Sequence, residues 1–384
     1  MSWRHTIALC ALLVLLIHIV SRESELIQIT VPSSSPLSRS RKKFDHLVIG
    51  SASGQGLSNR LQCSGLQALN KTHRLSSANE TSAAGKGISF VTVFTLYNAT
   101  ESERTSADMV IVGNASYTKT QMTMAILNAF VSFIKMAMPQ SSVFILTDPA
   151  SDLSLHRDQV TVYPIQGEYA RDKLMLQRIR SYIVFLQTRL DQLELDPDHT
   201  QNYIFTDSDI AVVGDLGTVF QDHPDFDMAL TFRNNKNQPL NSGFIAVRGT
   251  RDSILRGKAF LQKVLEAYSS RFMEASRMLG DQLSLAWVVK SQQNFDVTRF
   301  AKPRTFSDQI AKTKILFLPC LTYNWTPPEG AGQFHGIPLD VKVVHFKGSR
   351  KRLMLESWNY FNSCFDVDDM LCLILSSGRT KYDF

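Results

Sequence analysis

The chain has 384 residues, 44% hydrophobic and 20% charged, with a net charge of +6 and a pI near 9.0. Such values belong to a globular protein and exclude a disordered chain, which carries too little apolar matter to bury. The mild basic excess suits anionic small molecules and is too weak to point to nucleic acid as a partner.

Arg4 and His5 precede fifteen mostly apolar residues, 6–20. A spanning helix takes about 17–25 residues, and the apolar core of a signal peptide about 7–15. Ile19-Val20-Ser21-Arg22 makes a poor cleavage site. Residues 6–20 are therefore read as a signal anchor, with residues 1–5 as a cytosolic tail and the rest lumenal. A short span fits the thinner early secretory membranes. The expected setting is a single-pass type II protein of the Golgi membrane, the alternatives being the ER or secretion after cleavage. Five Asn-x-Ser/Thr sequons, at Asn70, Asn79, Asn98, Asn114 and Asn324, fit a lumenal glycoprotein. Cys63, Cys320, Cys364 and Cys372 suffice for two disulfides in any of three pairings, or stand as free thiols.

Residues 21–85 are rich in Ser, Asn and Thr without a sustained period and read as a stem. The folded domain is expected over 86–384. Residues 88–96 are β-branched and aromatic, a first strand. The spacing predicts a helix over 119–138, stopped by Pro139. Strands follow at 142–147 and 160–165, a helix at 171–190, and a strand over 203–205. Further strands are expected at 227–232, 240–247, 315–318 and 341–346, and helices at 252–276 and 283–290. This alternation is an α/β plan, a single domain with a mostly parallel central sheet flanked by helices.

Asp207-Ser208-Asp209 follows the apolar run Tyr203-Ile204-Phe205. Two carboxylates at a strand's C-terminal end face the crevice where open α/β sheets bind ligands. Together they can hold a divalent cation that also takes substrate phosphates. The spacing alone is weak, because Asp196-Pro-Asp198, Asp225-Phe-Asp227 and Asp366-Val-Asp368 share it. None of these follows an apolar strand, so they read as turns and caps.

Asn241-Ser242-Gly243 leads into an apolar strand. It reads either as a turn or as a ligand loop, with Gly243 permitting close approach and Asn241 donating hydrogen bonds. Asp281 is placed to cap the helix that follows it, or to sit with Gln282 at a reacting sugar. Arg178 and Arg180 lie on the helix before the carboxylate strand, either solvated or reaching the crevice. His345 ends the last strand, ahead of Lys347-Gly348-Ser349-Arg350-Lys351. Imidazole suits manganese and carboxylates suit magnesium or manganese. Lys351 or Arg350 would neutralise a leaving diphosphate.

In this order, Phe205-Thr-Asp-Ser-Asp-Ile210, Leu240-Asn-Ser-Gly-Phe244, Asp281-Gln282 and His345-Phe-Lys-Gly-Ser-Arg-Lys351 resemble the GT-A fold nucleotide-sugar glycosyltransferases. The likeness is to the glycogenin/galactosyltransferase-like family 8 group, with the plant family 77 close by, and spans roughly residues 88–355. It implies a GT-A type Rossmann-like sheet, a UDP-sugar donor and a glycan, polysaccharide or glycoprotein acceptor. It further implies Mn²⁺ or Mg²⁺ on Asp207, Asp209 and His345. Donor contacts would come from Thr95, Tyr97, Arg178, Ser208, Asn241, Gly243, Gly348 and Lys351, with Asp281 and Gln282 as the candidate catalytic pair. Leu283 stands where the family often has a second Asp, and Arg352-Leu353 where it often has Pro-Trp. With no carboxylate after Gln282, the expected chemistry is transfer with retention through a short-lived oxocarbenium ion. The alternative is a non-catalytic lumenal binding protein of the same fold.

Overall fold

The computed structural model describes residues 83–97, 110–112, 115–197, 200–235, 237–275, 278–327, 341–351 and 354–355. All belong to the compact unit 43–384. The expected signal anchor and stem, the sequons at Asn70, Asn79, Asn98 and Asn114, Cys63, Cys364, Cys372, Asp198 and the Asp366/Asp368 pair lie outside them. No helix among the described residues is long and apolar enough to cross a membrane.

In chain order the elements are β1 (Ile88–Val93), β2 (Val110–Val112), β3 (Ala115–Tyr117), α1 (Lys119–Ala137), β4 (Ser142–Thr147), β5 (Val160–Pro164) and α2 (Leu174–Leu195). Then come β6 (Asn202–Thr206), β7 (Ile210–Val212), α3 (Gly217–Asp222), β8 (Met228–Phe232), β9 (Leu240–Val247), α4 (Arg251–Arg271) and α5 (Gly280–Lys290). The last are β10 (Phe306–Ile310), β11 (Thr313–Pro319), α6 (Cys320–Tyr323) and β12 (Val343–His345).

Eight strands form one sheet in the order β10-β11-β8-β9-β6-β1-β4-β5. Only β9 and β10 run against the rest. The fold is thus α/β with a mostly parallel sheet. Its central strands are apolar on both faces because both are covered. Phe90 and Ile204 face one core, shared with Phe130, Phe133 and Ile134 of α1. Their sequence neighbours Val91 and Phe205 face the other, shared with Phe185 of α2 and Phe260 of α4. That alternation is the two-residue period of a strand, set between two helical layers.

Helix α1 opens on a capping box in which Thr118 and Gln121 each accept from the other's backbone N–H. It ends at Ala137, one residue short of the span 119–138 that the spacing predicts. Of the two readings of Asp281, the cap does not form: its carboxylate does not cap α5. The helix begins at Gly280 with Leu279 at the cap position, and Asp281 lies inside the first turn. Gly280 is needed there, since a Cβ would fall 2.4 Å from the Tyr268 ring. Strand β10 was not expected. Its Phe306-Ser-Asp-Gln-Ile310 is half polar, as befits an edge strand.

The competing Asp pairs have structural duties. Asp196 is the C-cap of α2. Asp227 is buried, accepts from Ser253 Oγ and Lys314 N–H and pairs with Arg256, while Asp225 pairs with Lys314 at the surface. Cys320 carries a free thiol, so the scheme of two disulfides does not hold. The thiol sits against Thr231, with Arg233 and Lys347 nearby.

Candidate metal centre

Strand β6 ends at Thr206, and Asp207-Ser208-Asp209 turns the chain into β7. Because β1 and β6 are parallel neighbours, Thr95–Tyr97 leaves the sheet at the same edge. Strand β7 pairs antiparallel with β12, with His345 opposite Ile210. Phe346 N–H donates to the Asp209 carbonyl at 2.8 Å, which fixes the end of β12 against the turn. The ring of His345 is thereby set beside the two carboxylates. One ligand atom each of Asp207, Asp209 and His345 lie within 4.8 Å of one another. His345 Nε2 is 3.5 Å from Asp207 Oδ2 and 3.3 Å from Asp209 Oδ1. The His345 side chain is only 5% exposed, whereas Asp207 is 26% exposed and opens the cluster on one side.

The third wall is β9. Its pairing with β8 passes from Ile245 opposite Leu230 to Asn241 opposite Thr231, so residues 242–244 bulge out of the ladder. Bulges re-aim groups beside functional sites. Here the bulge presents the Ser242 carbonyl to Arg178 Nη2 at 2.8 Å and brings Gly243 against the cluster. A Cβ on Gly243 would fall 2.7 Å from His345 Cε1, 2.8 Å from Asp207 Oδ2 and 2.9 Å from Asn241 Oδ1. Only glycine leaves that space for the ring and the carboxylate.

Behind the cluster lies a buried polar chain. His345 Nδ1 meets Asn324 Oδ1 at 2.7 Å. Asn324 Nδ2 donates to Asn241 Oδ1 at 2.8 Å and to Thr231 Oγ1 at 3.2 Å. Asn241 Oδ1 also accepts from Gly243 N–H at 2.8 Å. Asn241, expected to serve the ligand, thus spends its oxygen on the protein. Asn324, one of the five sequon asparagines, is buried.

Arg178 of α2 is the buried cation of the site. It hydrogen-bonds Asp207 Oδ1, and its Nη2 lies 2.7 Å from Asp281 Oδ2. That Nη2 also donates to the Ser242 carbonyl, and the Ser242 side chain hydrogen-bonds the Asp281 carboxylate. Burial pushes the Asp281 carboxyl up, against the pull of Arg178. For Asp209 burial acts upward too, but His345 and Lys351 more than offset it and hold the carboxyl well below the usual range. Lys351 Nζ is 3.1 Å from Asp209 Oδ2, and that carboxylate raises the ammonium's pKa despite burial. Arg180 points elsewhere, into a surface groove with Gln166, Ile183 and Val184.

Of the other expected site residues, Ser208 is half-buried at the turn. Thr95 is buried and shares a hydrogen bond with Ser151 Oγ, which also accepts from Leu96 N–H. Tyr97 is exposed, near Arg171 and Asp172. Gly348 has a left-handed φ of 66° just past β12. Gln282 N–H donates to Asp281 Oδ1 at 2.7 Å, and its Nε2 to Gln238 Oε1 at 3.2 Å. Gln238 and Arg233 carry no motif that would have marked them, and the sequon at Asn324 points to the surface, not to the site.

The donor set fits a hard or borderline divalent cation: two carboxylates, one imidazole and an open side. No protein-family profile matches the chain, and no curated protein sequence is similar to it.

Proposed function

We propose that the protein is a metal-dependent glycosyltransferase that moves a sugar from a UDP-sugar to an acceptor hydroxyl, probing the donor at the edge formed by β1, β6 and β9. The observation that carries this reading is the convergence of Asp207, Asp209 and His345 at a parallel-strand end, with Lys351 beside them. Buried Arg178, paired with both Asp207 and Asp281 beside the cluster, favours this reading over a bare metal-binding protein.

Asp207, Asp209 and His345 would hold Mn²⁺ or Mg²⁺, which supplies charge stabilisation for the departing diphosphate. Lys351 Nζ, half-exposed, adds a second positive charge on the same side. Asp281 would contact the donor sugar, while Arg178 holds its carboxylate and that of Asp207 in fixed relation. Neither Asp281, tied to Arg178 and Gln282 N–H, nor the amide of Gln282 is a free nucleophile. This supports retention through a short-lived oxocarbenium ion, with the leaving phosphate taking the acceptor's proton. A lumenal Golgi setting belongs to the same proposal and rests on residues 6–20.

The test is a panel of UDP-sugars with Mn²⁺, scored for UDP release and for acceptor stimulation. Release abolished by Asp207→Asn supports transfer. Binding without release from any donor removes the enzyme reading, and release without acceptor stimulation makes the protein a hydrolase. An inverted first-formed anomer, read by NMR, sinks the retaining route.

A further inference from the structure

Asn324-Trp325-Thr326 is a glycosylation sequon, yet the structure gives Asn324 a different employment. The residue is 3% exposed and lies behind the ring of His345. The direction of its hydrogen bonds follows from groups that can act in only one sense.

The backbone N–H of Gly243 only donates, so the Asn241 atom that it meets is the amide oxygen. The Asn324 atom that meets this same oxygen must then be its NH₂. Thr231 agrees: its hydroxyl proton goes to the Asn241 carbonyl at 3.2 Å, leaving its oxygen to accept from Asn324 Nδ2. Asn324 therefore has its carbonyl oxygen toward His345, 2.7 Å from Nδ1. An oxygen at that distance requires a proton on Nδ1, and Nε2 is the nitrogen left for the carboxylate cluster.

We propose that Asn324 is a positioning residue for the metal centre: it holds a proton on His345 Nδ1 and aims Nε2 at Asp207 and Asp209. The sequon consequently stays bare in the folded protein, because a glycan on Nδ2 would leave one N–H for the two acceptors Asn241 and Thr231 and fill a sealed space. This inference rests on the reading of the cluster as a metal site. Outer partners of ligating histidines fix tautomer and ring orientation, and losing one typically costs 10–100-fold in metal affinity.

The experiment uses the full chain. Mn²⁺ affinity is measured by electron paramagnetic resonance for the wild type, Asn324→Leu and Asn324→Asp. Asn324→Leu removes the acceptor and is expected to weaken Mn²⁺ binding by about 10–100-fold. Asn324→Asp keeps an oxygen for Nδ1 and should bind at least several-fold more tightly than the leucine variant. Histidine ¹⁵N spectra of the metal-free wild type give a second readout, with His345 identified by its loss in His345→Gln. Nδ1 should resonate as a protonated nitrogen, and peptide mapping after passage through a secretory pathway should find Asn324 unmodified.

Wild-type affinity in Asn324→Leu, an unprotonated Nδ1, or a glycan on Asn324 in folded protein each overturns the inference. If the wild type binds no Mn²⁺, the metal reading falls, and the nitrogen spectrum still decides where His345 carries its proton. The spectrum decides likewise if the leucine variant does not fold.

Discussion

Gly243→Ala adds one methyl group at the most crowded point of the site. The glycine's φ is not left-handed, so alanine meets no backbone strain there. Restricting the unfolded chain would even favour alanine by about 0.4–1 kcal/mol. Against this stands a Cβ 2.7–2.9 Å from His345 Cε1, Asp207 Oδ2 and Asn241 Oδ1, separations that real Cβ atoms do not tolerate. These are not loose side-chain ends. His345 is held by Asn324, Asp207 by Arg178, and Asn241 by Asn324 and the Gly243 N–H. Overpacking a fixed environment costs about 1–3 kcal/mol, so the steric penalty wins and a net loss of about 1–2 kcal/mol is expected. The metal centre should suffer more than the fold, because relief comes from displacing two of its ligands. Mn²⁺ affinity should fall at least about tenfold while the thermal midpoint drops only a few degrees. Calorimetric unfolding and Mn²⁺ titration check both, with Gly257→Ala as the control, where a Cβ would meet only the Val247 methyls at 3.2 and 3.5 Å. A Gly243→Ala protein with wild-type midpoint and affinity would refute the reasoning.

Arg178→Met leaves Asp207 and Asp281 facing each other without their shared cation, and should cost about 3–5 kcal/mol in urea unfolding. Adding Asp281→Asn should recover part of that loss, and strictly additive effects would show that the three do not act together. Gln238 Oε1 accepts from both Arg233 Nη2 and Gln282 Nε2, so it sets which way the Gln282 amide points. If the protein transfers sugar, Gln238→Leu should lower kcat about tenfold with donor affinity unchanged, and Gln238→Glu should restore most of it. Burial pushes the Cys320 thiol up to about 11, so the fold favours the neutral form. Its contribution to stability is complete below the unfolded value near 9 and is lost as pH rises from about 9 to 11. Alkylation of Cys320 should accordingly be slow at pH 8 in folded protein, and reaction at the rate of a free thiol contradicts the assignment.

The parts of this fold legible in the sequence were those with a local signal. Pro139 stopped α1, and continuous apolar runs marked the central strands. Asp207 and Asp209 stood out because they followed one of those runs, and His345 because it ended another. The supporting shell had no such mark. Asn324 looked like a glycan acceptor, since a sequon says nothing of burial. Asp281 read both as a helix cap and as a site residue, since the two share the same polar types. Arg178 and Arg180 were indistinguishable until the packing of α2 turned one inward. The bulge in β9 arises from pairing with β8, a relation between two strands that neither sequence carries alone.

The pairing of β7 with β12 is only three residues long and stands apart from the main sheet. Trp325 bonds the other side of β12 through Val343 and His345, and together these short contacts carry His345 to ligands at the end of β6. An ion bound there would act as a clasp between the middle of the chain and its far end, closing a long loop. The free energy of ion binding then adds to the stability of β12, by mass action on the paired state. Amide hydrogens of β12 should exchange more slowly as Mn²⁺ is added, which makes this small ladder a gauge of occupancy as well as a part of the site.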